Sequence, residues 1–346
     1  MIKAGILGST GYAGAELVRL LTGHPEVEIQ FLDSRSYHGK AYEEVYPSLK
    51  NIVKGKCASI DLENDFEGID ILFCALPHGL SQEAVKRMMA KGKRVIDLSA
   101  DFRITDPKVY EAWYDVRHQA LGELGKAVYG LSEIYPKEIQ EAQLVANPGC
   151  YPTSIALALY PLLKENVIST ESIIIDAKSG VSGAGRNLND GTLFSQCNEN
   201  IKAYSIGTHR HIPEIEQELS LAAGKEMIIQ FTPHLVPMNR GILSTIYTTN
   251  IKNVKENDIE AIYAHYYEEK RFVRLLKEGK LPQTKAVSGS NYCDIGFKVD
   301  PRTNGLIVVS AIDNLVKGAA GQAVQNMNMM LGLKEYIGLE QMPIWP

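Results

Sequence analysis

The opening of the chain constrains its fold more than any other stretch. Lys3 to Leu7 is a short apolar strand, Gly8-Ser9-Thr10-Gly11-Tyr12-Ala13-Gly14 a glycine-rich turn, Ala15 to Leu21 an amphipathic helix and Val27 to Leu32 a second strand. A strand followed by a crossover helix and another strand is a βαβ unit, which implies a parallel sheet. The helix start then presents unpaired N–H groups and a positive dipole end beside the turn, a natural seat for a pyrophosphate. The spacing is G-x-x-G-x-x-G rather than the commoner G-x-G-x-x-G, and taken alone it fits a tight turn that merely needs glycine. Its place between strand and helix makes Gly8, Ser9, Thr10, Gly11, Tyr12, Ala13 and Gly14 candidate dinucleotide contacts.

The end of the second strand reports on the ribose. Asp33 suits a free 2′-hydroxyl, whereas Ser34 and Arg35 offer hydroxyl and guanidinium donors for a 2′-phosphate. The latter pair is weighted more heavily, so NADP is the expected cofactor. Strand and helix continue to alternate, with Ile69 to Ala75, Leu80 to Ala90 and Arg94 to Leu98. The loops Leu76-Pro77-His78-Gly79 and Ser99-Ala100-Asp101-Phe102-Arg103 fall at carboxyl ends of strands, where open α/β sheets bind ligands. Pro77 is taken as a cofactor contact.

A chain of 346 residues exceeds what one core supports, and its 45% hydrophobic content can fill two. The net charge of −5 without a dense basic run argues against nucleic acid as a partner. Five cysteines, at 57, 74, 150, 197 and 293, form neither a C-x-x-C pair nor an even framework, so no metal and no disulfide are expected. A strand starting at the third residue leaves no room for a signal peptide, and no apolar run nears the ~18 residues that cross a bilayer. A cytoplasmic protein without membrane contact is the expectation.

Cys150 stands apart from the other four. Gln143 to Ala146 reads as a buried strand end, Pro148-Gly149 as a turn and Pro152 as the first helical residue. The thiol would then face a helix N-terminus, which favours thiolate and hence nucleophilic character. Beyond it come longer strands with fewer helices between them, at 172–179, 228–233, 242–250, 292–299 and 306–312. This change predicts a second, α+β domain with a mostly antiparallel sheet beside the Rossmann-type domain. Within it, Gly180, Ser182 and Gly183 belong to a glycine-rich loop ending in Arg186, and His209-Arg210-His211 precedes a helix. A nucleophilic cysteine needs a base or imidazolium partner. His211, which directly precedes Ile212-Pro213-Glu214, is chosen over His209. The segment from Asp313 to Val324 is rich in glycine and alanine, and Asn314 at its start is a further cofactor candidate. The expected boundaries are 1–148, joined by a C-terminal segment from about 314 to 346, for the dinucleotide domain, and 149–313 for the catalytic and oligomerisation domain. The apolar second domain makes a homo-oligomer, dimer or tetramer, the expected state.

Taken together, Gly8 to Gly14, Leu76 to Gly79, Asp97 to Arg103, Asn147 to Thr153, His209 to Glu214 and Asn314 to Ala323 resemble the N-acetyl-gamma-glutamyl-phosphate reductase family across essentially the whole chain. That family is related to aspartate-semialdehyde dehydrogenase and, more distantly, to glyceraldehyde-3-phosphate dehydrogenase. The resemblance implies NADPH-dependent reduction of a small acyl phosphate, N-acetylglutamyl 5-phosphate, to N-acetylglutamate 5-semialdehyde and phosphate in arginine biosynthesis. It also implies Cys150 as nucleophile and His211 as acid/base. Arg103, Arg186, His209 and Arg210, with Lys178, are candidate substrate contacts, Arg103 being favoured for the phosphate. Asp33 is the one position at which an acid would weaken a preference for NADP. The same chemistry on another side chain, as in aspartate-semialdehyde dehydrogenase or N-acetyl-aminoadipyl-phosphate reductase, is the alternative. A non-enzymatic dinucleotide-sensing module, which would not need Cys150 and His211 together, is the distant one.

Overall fold

The computed structural model describes residues 1–59, 66, 68–277 and 279–345. Two compact units emerge: Met1–Pro148 with Ala319–Glu340, and Gly149–Gly318 with the tail from Gln341 onward.

In the first unit, β1 (Ile2–Leu7), β2 (Val27–Asp33), β3 (Cys57–Ala58), β4 (Ile71–Cys74), β5 (Arg94–Asp97), β6 (Val128–Tyr129) and β7 (Leu144–Ala146) form one sheet. The strand order is β3-β2-β1-β4-β5-β7-β6, and every pairing is parallel. Residues 71–74 are buried without alternation, as expected of a strand covered on both faces. The order reverses between β1 and β4, which opens a crevice at their carboxyl ends. The glycine turn that follows β1 stands there, leading into α1 (Tyr12–Thr22), whose Leu17, Val18, Leu20 and Leu21 are wholly buried. Two further helices, α2 (Gln82–Ala90) and α3 (Pro107–Tyr114), follow β4 and β5.

In the second unit, β8 (Ile174–Gly180), β9 (Lys202–Ala203), β10 (Gln230–Val236), β11 (Ile242–Thr249), β12 (Val273–Leu275), β13 (Cys293–Asp300) and β14 (Gly305–Ile312) lie in the order β12-β13-β14-β11-β8-β10-β9. The pairs β8/β10 and β12/β13 are parallel and the rest antiparallel, so the sheet is mixed but mostly antiparallel. Helix α4 (Cys150–Lys164) packs on one face, where Ser154 Oγ bonds Ser244 Oγ and Ser310 Oγ at 3.0 Å each. Two further long helices of this unit are α5 (Ile212–Ala223), which packs on α4, and α6 (Glu256–Tyr267). Side chains alternate along strands. Asp176, Lys178, Leu243, Thr245, Ile307 and Val309, none of them fully buried, therefore line the opposite face.

The C-terminal segment divides differently from the expected run of about 314–346. Residues 314–318 cluster with the second unit because Asn314 accepts the Gly241 N–H at 2.7 Å and donates to Ser182 Oγ at 3.0 Å. The tail from Gln341 does so too, with the Ile344 N–H on the Ser288 carbonyl at 2.9 Å. Pro346 lies outside the described residues. Between them, α7 (Gly321–Met330) is buried along its whole length in the first unit. Its polar side chains reach into the rest of the unit: Gln322 and Asn326 both donate to the Gly130 carbonyl, at 3.0 and 2.8 Å. These hydrogen bonds tie the helix to the β6 end of the sheet.

Candidate active site

The glycine turn is built by the protein's own sterics at two of its three glycines. Gly8 has φ +72°, and a Cβ there would lie 2.3 Å from the Ala75 carbonyl oxygen. A Cβ on Gly14 would lie 2.2 Å from the Gly8 oxygen, whereas one on Gly11 would meet nothing closer than 3.5 Å. Gly11 caps α1 with no side-chain bond to the helix start, which leaves that N-terminus shaped for an anionic ligand. Tyr42 and Tyr46 hold the turn from outside, donating to the Ser9 and Thr10 carbonyls at 2.8 and 2.9 Å. These tyrosines carried no sequence signal, because their partners are backbone atoms distant in the chain.

Beyond β2, Asp33 is buried and its Oδ2 accepts the Gly8 N–H at 3.2 Å, while its carbonyl takes the Ser9 hydroxyl at 2.9 Å. Ser34 is buried too, with its hydroxyl 2.7 Å from that of Thr10. Arg35 is exposed. The loop containing Pro77 is tied to the next one by Asp101, whose Oδ1 accepts the Gly79 N–H and the Tyr110 hydroxyl, both at 2.7 Å. Its Oδ2 accepts the Ser81 hydroxyl at 2.8 Å. Burial, together with the nearby Asp101 charge, pushes the Asp97 carboxyl well above the usual carboxylate range.

In the second unit, α4 begins at Cys150 itself, with Gly149 as its extended cap at φ −68° and ψ 156°. Pro152 is therefore the third helical residue rather than the first, still within the turn where a missing N–H is harmless. The Gly149 N–H donates to Glu214 Oε1 at 2.7 Å. Glu214 lies in the first turn of α5, whose cap is His211, so the cysteine and histidine helix starts are laced together. The residue after the cysteine, Tyr151, packs edge-on against the rings of His209 and His211, at centroid distances of 5.5 and 6.0 Å.

His209 sits in an aromatic cage of Tyr151, Tyr204, Phe231 and His211. Its Nδ1 accepts the His211 backbone N–H at 3.1 Å, a bond that needs an unprotonated nitrogen. Burial, with a smaller contribution from the Arg210 charge, lowers its pKa to about 4. A ring that stays neutral to such acidity holds its neighbour's backbone rather than exchanging protons near neutrality.

The candidate cations fall in different settings. Arg103 is buried and donates from Nε to the Asn147 carbonyl and from Nη2 to the Leu98 carbonyl, both at 2.7 Å. Arg210 is exposed and Arg186 half-buried. Lys178 points to the open sheet face, with Nζ 2.8 Å from Asp176. In the glycine-rich loop, the Gly180 and Ser182 N–H groups bond the Gly241 and Asn239 carbonyls, and Gly183 packs on Ser179. The neighbouring cation Arg240, which sequence reasoning passed over, lies 3.4 Å from the buried Asp313. Its signal was an Arg-Gly turn between two strands. Among the described residues, no group of three or more His, Cys, Asp or Glu could hold a metal, and no helix is long and apolar enough to cross a membrane.

The fold and the cradle define a semialdehyde-dehydrogenase-type oxidoreductase that uses a nicotinamide dinucleotide. The semialdehyde dehydrogenase NAD binding domain family matches residues 3–142, and the semialdehyde dehydrogenase dimerisation domain family matches 150–314. Aspartate semialdehyde dehydrogenase II from Vibrio cholerae, solved with ASA, superposes with a TM-score of 0.72 at 19% identity, over 96% of this chain and 98% of that one. Aspartate semialdehyde dehydrogenase from Candida albicans, solved with NADP, gives a TM-score of 0.71 at 18% identity, over 97% and 99%. Such identities speak to the fold alone. Among sequences, the N-acetyl-gamma-glutamyl-phosphate reductase of Desulforamulus reducens is 54% identical over the full length of both chains, and that of Thermoanaerobacter pseudethanolicus 51%. The chain belongs to the N-acetyl-gamma-glutamyl-phosphate reductase family.

The caged histidine has a consequence for stability. Above pH 6.5 His209 is neutral in both folded and unfolded chains and contributes nothing. As pH falls from 6.5 towards about 4, the unfolded chain takes up a proton that the folded cage refuses, so stability drops across that window. Urea unfolding at pH 7 and pH 4.5 should show a smaller loss for His209→Asn than for the native chain. Equal losses would show that the cage does not discriminate against the proton.

Proposed function

We propose that this chain reduces N-acetylglutamyl 5-phosphate to N-acetylglutamate 5-semialdehyde and phosphate with NADPH, a step of arginine biosynthesis. The observation that carries the reading is a cysteine at the first residue of α4, laced through Glu214 to the helix start that bears His211. Family membership over the full length supports the substrate.

In the first step the Cys150 sulfur attacks the acyl carbon, a C–S bond forms and the bond to the phosphate oxygen breaks, leaving a thioester. Negative charge developing on the carbonyl oxygen meets the positive end of α4. Gly8 to Gly14 would hold the dinucleotide, which when bound would supply the hydride for the thioester carbonyl carbon. The C–S bond then breaks, the aldehyde leaves and the thiolate returns. His211 is the acid/base that stabilises the thiolate, donates a proton to the developing oxyanion and takes it back as the C–S bond breaks. Its neighbour His209, kept neutral to about pH 4, fixes the His211 backbone instead. Arg103, Arg186 and Arg210, with His209, are the residues we assign to the substrate, and Gly180, Ser182, Gly183, Asn314 and Pro77 would be further contacts of the dinucleotide. The assay is oxidation of NADPH by N-acetylglutamyl 5-phosphate, or the reverse reaction from semialdehyde and phosphate. Cys150→Ser should fall below a few per cent of native turnover while binding dinucleotide normally, since a serine hydroxyl at its ordinary pKa is a weak nucleophile. Substantial residual turnover would exclude the thioester.

NADP over NAD rests on Arg35. Asp33 and Ser34 are engaged with the glycine turn, which leaves the exposed guanidinium as the group that suits a 2′-phosphate. Arg35→Ala should raise the KM for NADPH about tenfold or more and leave that for NADH nearly unchanged, the weight of a charge-assisted hydrogen bond. Equal effects on both would reassign Arg35 to structure.

The dimerisation-domain match over 150–314 supports a homo-oligomer, for which we keep a dimer or a tetramer. The open face of the second sheet, where Leu243, Ile307 and Val309 surround Asp176 and Lys178, is the surface we assign to it. Sedimentation of the native chain should give a dimer or larger, and Val309→Asp should dissociate it. A monomeric native chain would overturn the assignment. All five cysteines are free thiols, as suits a reducing cytoplasm.

A further inference from the structure

The turn that carries the cysteine is gripped on two sides. On one side lies Glu214, wholly buried in the first turn of α5, three residues after His211. Its Oε1 accepts the N–H of Gly149, the residue that caps α4 and immediately precedes Cys150, at 2.7 Å. On the other side lies the backbone of Gly318, within a π-helical turn spanning Val316–Ala320. A Cβ on Gly318 would stand 2.8 Å from the Cys150 Cβ and 3.2 Å from its Cα, so the glycine backbone presses directly on the nucleophile. That turn is itself anchored: Asp313 Oδ1 accepts the Leu315 and Val316 N–H groups at 2.8 and 3.1 Å, and the Asp313 carbonyl accepts the Gly318 N–H at 3.0 Å. π-turns in proteins gather at functional sites because the wider turn moves backbone to where a regular helix would not place it.

We propose that Glu214 is the positioning residue of the nucleophile. Its carboxylate clamps the Gly149–Cys150 peptide to the helix start that carries His211, while Gly318 closes the far side, so the sulfur and the imidazole keep a fixed relation. The inference rests on reading Cys150 as the nucleophile. A carboxylate oxygen is a strong acceptor for a backbone N–H, and a glutamine of the same length keeps an acceptor in place without the charge. A buried acid retained only to stabilise the fold would affect unfolding and not the reactivity of the thiol.

The experiment compares the full chain with Glu214→Ala and Glu214→Gln. Dinucleotide affinity and melting report on folding. The rate of Cys150 carboxamidomethylation by iodoacetamide from pH 5 to 9, followed on the Cys150 peptide by mass spectrometry, reports on the nucleophile, and kcat and KM on turnover. For Glu214→Ala, native dinucleotide affinity is expected with at least about a tenfold loss in kcat, little change in KM and a displaced alkylation profile, the scale of one lost hydrogen bond to a charged group. Glu214→Gln should regain most of that loss. A native alkylation profile in Glu214→Ala, or equal losses in both variants, would overturn the proposal. Should Glu214→Ala fail to fold, Gly318→Ala presses on the same residue from the other side. A displaced profile with native dinucleotide affinity then supports the clamp, and a native profile overturns it. A native chain inert towards N-acetylglutamyl 5-phosphate would refute the assigned substrate and leave the alkylation comparison readable.

Discussion

Four buried carboxylates, each accepting the N–H of a glycine, pin turns in the two units. Asp33 takes Gly8, Asp101 takes Gly79, Glu214 takes Gly149 and Asp313 takes Gly289. Glycine gives a turn its reach but loses the most conformational freedom on folding, so such turns need pinning. A carboxylate out of water needs donors, and a backbone N–H that no helix or sheet uses needs an acceptor. Each pairing answers both requirements at once, with a bond stronger than a neutral one. The two units use the same solution at the dinucleotide turn and at the cysteine turn.

This explains why the architecture was legible and the anchors were not. The βαβ opening was readable because strand, glycine turn and amphipathic helix are local patterns, and β1, α1 and β2 fall within a few residues of the expected bounds. The later strands were readable from β-branched runs, although β9 and β12, at two and three residues, are too short to show any pattern. Pairing direction is a tertiary matter. The parallel β8/β10 pair was invisible because α5, which makes that connection possible, had been read only as the carrier of His211. The anchoring acids lie 22 to 65 residues from the glycines they hold, apart from what the notation of a motif can express. Glu214 was visible as an acid after a proline, and its partner was not.

The cysteine region joins two kinds of electrostatic control. The helix start supplies a fixed positive end, while the aromatic cage keeps one imidazole of an adjacent pair neutral. Two histidines separated by one residue thus occupy unlike environments. His209 lies enclosed beside the Arg210 charge, and His211 caps a helix. The difference between two identical side chains arises here from packing, with Tyr151 touching both rings and forming part of the helix that starts at Cys150.

The commitments of residues 33 to 35 bear on how this chain could be re-engineered. Asp33 is the acceptor for the turn's first glycine, and Ser34 is packed hydroxyl to hydroxyl against Thr10 within the same turn. Substituting either one would loosen the scaffold of the turn. Arg35 is exposed, so a substitution there spares the bonds that brace the turn, whereas randomising all three positions together would break them.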